Sequence, residues 1–113
     1  MQKFERSFQV WDYWVSHSQL LVRSAADISH PQNIDITFGG VQYMELPAML
    51  PELELAEPVP DEQRRATEIV GRAVPVEQLF VLVTRGRRYL VVALGMWVTE
   101  NDMPFMKSSL DRI

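Results

Sequence analysis

A chain of 113 residues is sized for one domain, 1–113, long enough to bury a core of its own. Hydrophobic residues make up 47% and charged residues 23%, which excludes a disordered tail, and the absence of cysteine excludes disulfides, thiolate catalysis and cysteine-ligated zinc. The net charge of −4 is uneven: residues 1–60 carry three basic and eight acidic side chains, so this half repels phosphate backbones and general nucleic-acid binding is disfavoured.

The N-terminal run MQKFERSFQV has no apolar core or small-residue cleavage site, so no secretory signal is expected, and the lack of cysteine favours the cytoplasm. Residues 4–24 are rich in aromatic and β-branched types. They read as two strands, about Phe8 to Val15 and Leu20 to Ser24, joined by a turn or bulge at SHSQ. On a regular strand Trp11 and Tyr13 share one face and Trp14 takes the other. Residues 25–32 form a loop.

In NIDITFGGVQYMEL, a Gly-Gly pair between alternating runs predicts a hairpin with Phe38 facing Val41, Ile36 facing Tyr43 and Ile34 facing Glu45. Four prolines between residues 47 and 60 exclude a helix interior or a central strand, leaving ELELAE as a short edge strand. PDEQRRATEIVGRAV is the one amphipathic helix, near residues 61–72. Asp61 is its expected cap, Arg64 and Glu68 its i,i+4 pair, and Ala66, Ile69, Val70 and Ala73 its apolar stripe. QLFVLVTRGRRYLVVALGMWV is apolar on both parities, which predicts two central strands covered on both faces. Its tip admits two registers, Val83 opposite Leu90 or Leu82 opposite Tyr89. Gly95 marks a bend or bulge, TENDMP a turn, and residues 104–113 an extended tail. The longest apolar run, Tyr89 to Val98, has ten residues, far short of the roughly 20 a membrane-spanning helix needs.

The predicted fold is therefore α+β, mainly antiparallel, with six or seven strands curled into a sandwich or open barrel and one helix packed on it.

Candidate chemistry is sparse. Neighbouring strand residues point to opposite faces, so Ser16 and Ser18 are not expected to present a hydroxyl to His17 unless a turn folds one back, and no nucleophile elbow is present. A hydrolase using His17 with Asp12 or Asp35 ranks last. His17 and His30 are the only histidines and have no ligand spacing around them, so no metal and no cofactor is expected. The acidic pairs Glu52/Glu54 and Glu100/Asp102 read as solvated charges, and Arg85, Arg87 and Arg88 as a solvated hairpin tip.

The aromatic group Trp11, Tyr13 and Trp14 offers interface anchors, with Asp12, Glu52, Glu54 and Glu57 as acidic complements to a basic partner. The alternative is a carrier of an apolar ligand, its pocket lined by Met44, Met96 and Trp97.

The run VSHSQLLVRS, followed by NIDITFGGVQYMELP and LELAE, resembles the N-terminal pattern of small bacterial immunity proteins of polymorphic toxin systems, the immunity protein 50 type, over about residues 11–57. There a histidine near a strand start precedes an apolar strand and a meander. The resemblance implies a non-catalytic protein that binds and blocks another protein. The expected function is a non-enzymatic protein-binding domain, either an immunity-like inhibitor or a homo-oligomeric accessory protein. Its partner is another protein or a second copy, with no nucleic acid and no membrane.

Overall fold

The computed structural model describes residues 2–105 and 107–110. In chain order they form β1 (Gln2–Phe4), β2 (Phe8–Trp14), β3 (Gln19–Ser24), β4 (Asn33–Gly39), β5 (Tyr43–Met44), β6 (Met49–Leu50), β7 (Leu53–Ala56), α1 (Pro60–Val70), β8 (Leu79–Thr84), β9 (Arg87–Val92) and β10 (Gly95–Asn101). Two antiparallel sheets result, sheet A in the order β1-β7-β8-β9-β5 and sheet B in the order β10-β4-β3-β2-β6. The α+β, mainly antiparallel class holds. Ten strands replace the expected six or seven because those at residues 2–4 and 49–50 are too short to carry a legible alternation, and the run after residue 87 is two strands, β9 and β10, in place of the expected single long strand with a bend or bulge at Gly95.

One core lies between the sheets. Phe8, Leu20, Val22, Ile36 and Phe38 from sheet B meet Leu53, Leu82 and Val91 from sheet A. The other face of sheet A, through Leu79, Val81, Leu90 and Val92, is roofed by Ala66 and Val70 of α1. The double-sided apolar pattern of β8 and β9 thus has the meaning it predicted, cover on both faces. Arg85 and Gly86, both at positive φ, form their two-residue turn, and this selects the register with Leu82 opposite Tyr89.

The Gly-Gly hairpin does not form. β4 pairs with β3 and β10, so Ile36 lies between Val22 and Val98, and Phe38 between Leu20 and Met96. β5 pairs with β9 in the other sheet, with Tyr43 opposite Val92. Long ladders on both sides of β4 satisfy more backbone groups than a two-residue β5 can. Gly40, at φ 65°, instead carries the chain from one sheet to the other.

Other local expectations also change. β7 is not an edge, since β1 pairs along its outer side. The helix cap is Val59 rather than Asp61: Pro60 opens the helix, and the Glu62 carboxylate accepts the Val59 N–H at 3.0 Å. Arg64 pairs with Asp61 instead of Glu68. Of the helix stripe, Ala66 and Val70 pack while Ile69 and Ala73 are exposed, because the helix touches sheet A along a narrow line.

The register of β2 against β3 shifts between Val10 and Asp12. Trp11 is the extra residue of a β-bulge, and the bulge breaks the two-residue alternation. Tyr13 turns into the core, whereas Trp11, Asp12 and Trp14 fall on the outer face of sheet B. The expected sharing of a face by Trp11 and Tyr13 is therefore overturned.

Candidate binding surface

Among the described residues, no helix covers the outer face of sheet B. Its middle is occupied by a buried ion pair: the Arg23 guanidinium donates to both oxygens of Asp35 at 2.6 and 2.9 Å. Arg23 lies on β3 and Asp35 directly across on β4. Asn101 on β10 donates to the same carboxylate at 2.7 Å, and Asn33 donates to Asn101 at 2.8 Å. Burial alone would raise the Asp35 carboxyl, but the Arg23 guanidinium, with Ser109 and Asn101, more than offsets it and holds the group below the usual carboxylate range.

The chain leaves β10 and crosses this face as a strap. Asn33 donates to the Met103 carbonyl at 3.1 Å, Arg23 donates to the Lys107 carbonyl at 2.5 Å, and Phe105 meets the Trp11 indole edge-on at 5.2 Å. The Arg23 guanidinium stands 5.3 Å from the same indole. Leu110 is buried. The tail expected as extended has no strand or helix at residues 104–105 and 107–110. Residues 106 and 111–113 lie outside the described residues.

Beyond the strap, at the end of sheet B nearest the β2–β3 turn, the surface becomes apolar and aromatic. Trp97 on β10 lies against Gly39, so close that a Cβ there would sit 2.9 Å from the indole. Leu94 lies over Gly40 in the same way. The β3–β4 register, carried one residue further, sets Gln19 beside Gly39, and Trp14 is opposite Gln19. The His17 ring stacks on Trp14 at 3.7 Å and 27°, and the Val41 N–H donates to Ser18 O, tying the turn to the sheet crossing. Val15, Leu94 and Trp97 keep 76%, 65% and 53% of their surface exposed. Together these residues form one aromatic rim on a rigid floor.

The chain matches no protein-family model, no curated protein and no solved structure.

The predicted site residues are split between surfaces. Trp11, Asp12 and Trp14 share the outer face of sheet B, with Trp11 under the strap and Trp14 in the rim, while Tyr13 packs on the core. The acidic complements sit around sheet A. Glu54 is on β7, Glu52 accepts the Arg85 N–H at 2.8 Å, and the carbonyl of Glu57 accepts from Arg88. They do not frame the aromatic residues. Of the residues expected to line an apolar pocket, Met96 borders one of about 280 Å³ beside Gln2, Leu55 and Phe80, and neither Met44 nor Trp97 lines that one.

At His17 the 3-10 turn Val15–His17 brings the Ser16 hydroxyl to 2.9 Å from Nδ1, the contact that strand geometry would forbid. The imidazole is at the same time held flat on Trp14. His30 pairs with Asp27 at 3.0 Å in the loop. Among the described residues, no three His, Asp or Glu side chains gather closely enough to hold a metal ion, and no helix is long and apolar enough to cross a membrane.

Sequence reasoning missed the Arg23–Asp35 pair and the contribution of Leu94. The pair had a signal: opposite charges stand alone inside the apolar strands QLLVRS and NIDITF, where a lone charge would be untenable.

Proposed function

We propose that this chain is a non-enzymatic protein-binding domain that recognises its partner through the aromatic rim of sheet B. The observation that carries this reading is the gathering of Trp14, His17, Leu94 and Trp97 at one end of sheet B: His17, Leu94 and Trp97 are exposed and Trp14 half-buried, with His17 stacked on Trp14 and Leu94 and Trp97 set against the glycines. Exposed aromatic side chains with little rotamer freedom left to lose are what interface hot spots require. An immunity-like inhibitor, as the resemblance over residues 11–57 implies, fits such a surface. The acidic residues 52, 54 and 57 belong to another side of the molecule and are not part of the recognition surface in this reading.

The test is affinity capture from the native host, comparing the wild-type chain with a Trp14→Ala/Trp97→Ala variant of unchanged circular dichroism. A protein retained in stoichiometric amount by the wild type and lost by the variant supports the reading. Equal retention by both, or a small molecule in place of a protein in the native mass spectrum, overturns it.

A further inference from the structure

Each sheet has two edges, and three of the four are short: β1 has three residues, β5 two and β6 two. Short edges offer few free backbone groups and resist pairing with another chain. The fourth edge, β10, runs seven residues, pairs with β4 without a register break, and contains no proline and no lysine. Among the described residues nothing pairs along its outer side. The described part of the strap leaves this edge open, because it runs from Asn101 over β4 and β3 toward Trp11 on β2.

The residues along β10 decide what fits there. Leu94, Met96 and Trp97 gather at its start, and the acids Glu100 and Asp102 at its end. A parallel neighbour of the same sequence would stack acid on acid. An antiparallel copy centred on Val98 sets Trp97 opposite Thr99, Met96 opposite Glu100 and Leu94 opposite Asp102, so no two acids face each other. Centring on a residue also matches outward-pointing backbone groups on one strand with outward-pointing groups on the other. Of the residue-centred registers, only the one on Val98 aligns all seven positions.

We infer that the chain forms a two-fold dimer in which β10 pairs antiparallel with β10 of a second copy, making one ten-stranded sheet. Isologous pairing of this kind closes on itself and does not propagate. The two-fold axis runs perpendicular to the sheet, so both aromatic rims lie on the same side of the dimer. The inference rests on the β10 edge and stands independently of the host partner.

Sedimentation of the full chain tests it directly. The expected species has twice the 13.1 kDa chain mass, and a monomer at all concentrations up to about 100 µM, a Kd range in which a working interface would be filled, overturns it. Because the chain has no cysteine, an introduced one reports its own position. Under mild copper–phenanthroline oxidation Val98→Cys is expected to cross-link into a dimer and Thr99→Cys is not, and equal cross-linking of the two overturns the register. Should Val98→Cys fail to fold, charges on exposed positions decide the matter. A Trp97→Lys/Thr99→Lys chain is expected to be monomeric, with at least tenfold weaker self-association. Mixing it with a Trp97→Glu/Thr99→Glu chain is expected to restore a heterodimer, and a Lys chain that dimerises as well as wild type sinks the proposal. Monomeric wild-type protein that still captures a host partner through Trp14 and Trp97 would refute the β10 pairing alone and leave the rim reading in place.

Discussion

The two outer faces of this sandwich are covered by different means. Sheet A is roofed by α1, whose Ala66 and Val70 rest on Leu79, Val81, Leu90 and Val92. Ion pairs fringe that contact, Arg88 with Glu62 at 2.9 Å and Arg65 with Glu45 at 2.7 Å. Sheet B is crossed by a thin strap whose Phe105 meets Trp11 edge-on and which is held by hydrogen bonds from Arg23 and Asn33. An apolar roof is non-directional and tolerates small changes at its fringe, whereas a polar anchor depends on each partner being present. Among the described residues the strap passes over Trp11 and does not reach Leu94 or Trp97, and that end of sheet B is where the aromatic rim lies.

Breaking the anchor has the largest expected effect. Asp35→Ala leaves the Arg23 charge buried and unpaired, and is expected to cost about 3–5 kcal/mol in urea unfolding. Replacing both partners, as in Arg23→Met/Asp35→Leu, is expected to cost far less. If the single and double changes cost the same, the pair does not work as a unit. The carboxyl of Asp35 lies below its ordinary value of 3.8 when folded, so its contribution is complete above about pH 4 and is lost as pH falls through the lower folded value. Acid titration of wild type against Asp35→Asn should show the variant losing part of that slope.

The apolar roof comes next. Ala66 is fully buried under α1, and Ala66→Leu overpacks the helix against the sheet at an expected cost of about 1–3 kcal/mol. A neutral result would mean that the helix can lift freely, and the contrast between the two covers would shrink. Phe105→Ala removes the edge-on contact with Trp11 and is expected to cost about 0.5–1.5 kcal/mol. It should also speed proteolysis within residues 103–110 while leaving cleavage in α1 unchanged. The smallest effect belongs to the fringe: Glu62→Gln is expected to cost under about 1 kcal/mol, reduced further by salt, because Arg88 is partly exposed.

Much of the local structure was legible in the sequence. The double-sided apolar strands 79–84 and 87–92, the turn between Val15 and Ser18, and the single helix after four prolines all follow from residue type and spacing. The candidate surface was legible only in part. Trp11 and Trp14 stand out as aromatic residues beside polar ones, but a one-residue bulge decides which faces they share, and no local pattern announces it. The Ser16–His17 contact likewise exists only because the turn is helical and not extended.

Alternation and proline placement fix which residues face a core, since side-chain direction along a strand is a local property with a period of two. Which strand lies beside which is not local. Gly39 and Gly40 read as a hairpin tip, yet they serve as a crossing between sheets, because β4 gains more ladder from β3 and β10 than from its neighbour in sequence. The same is true of Arg23 and Asp35. The sequence shows two isolated charges, and only the tertiary packing sets them opposite each other and out of water, where each makes the other tolerable.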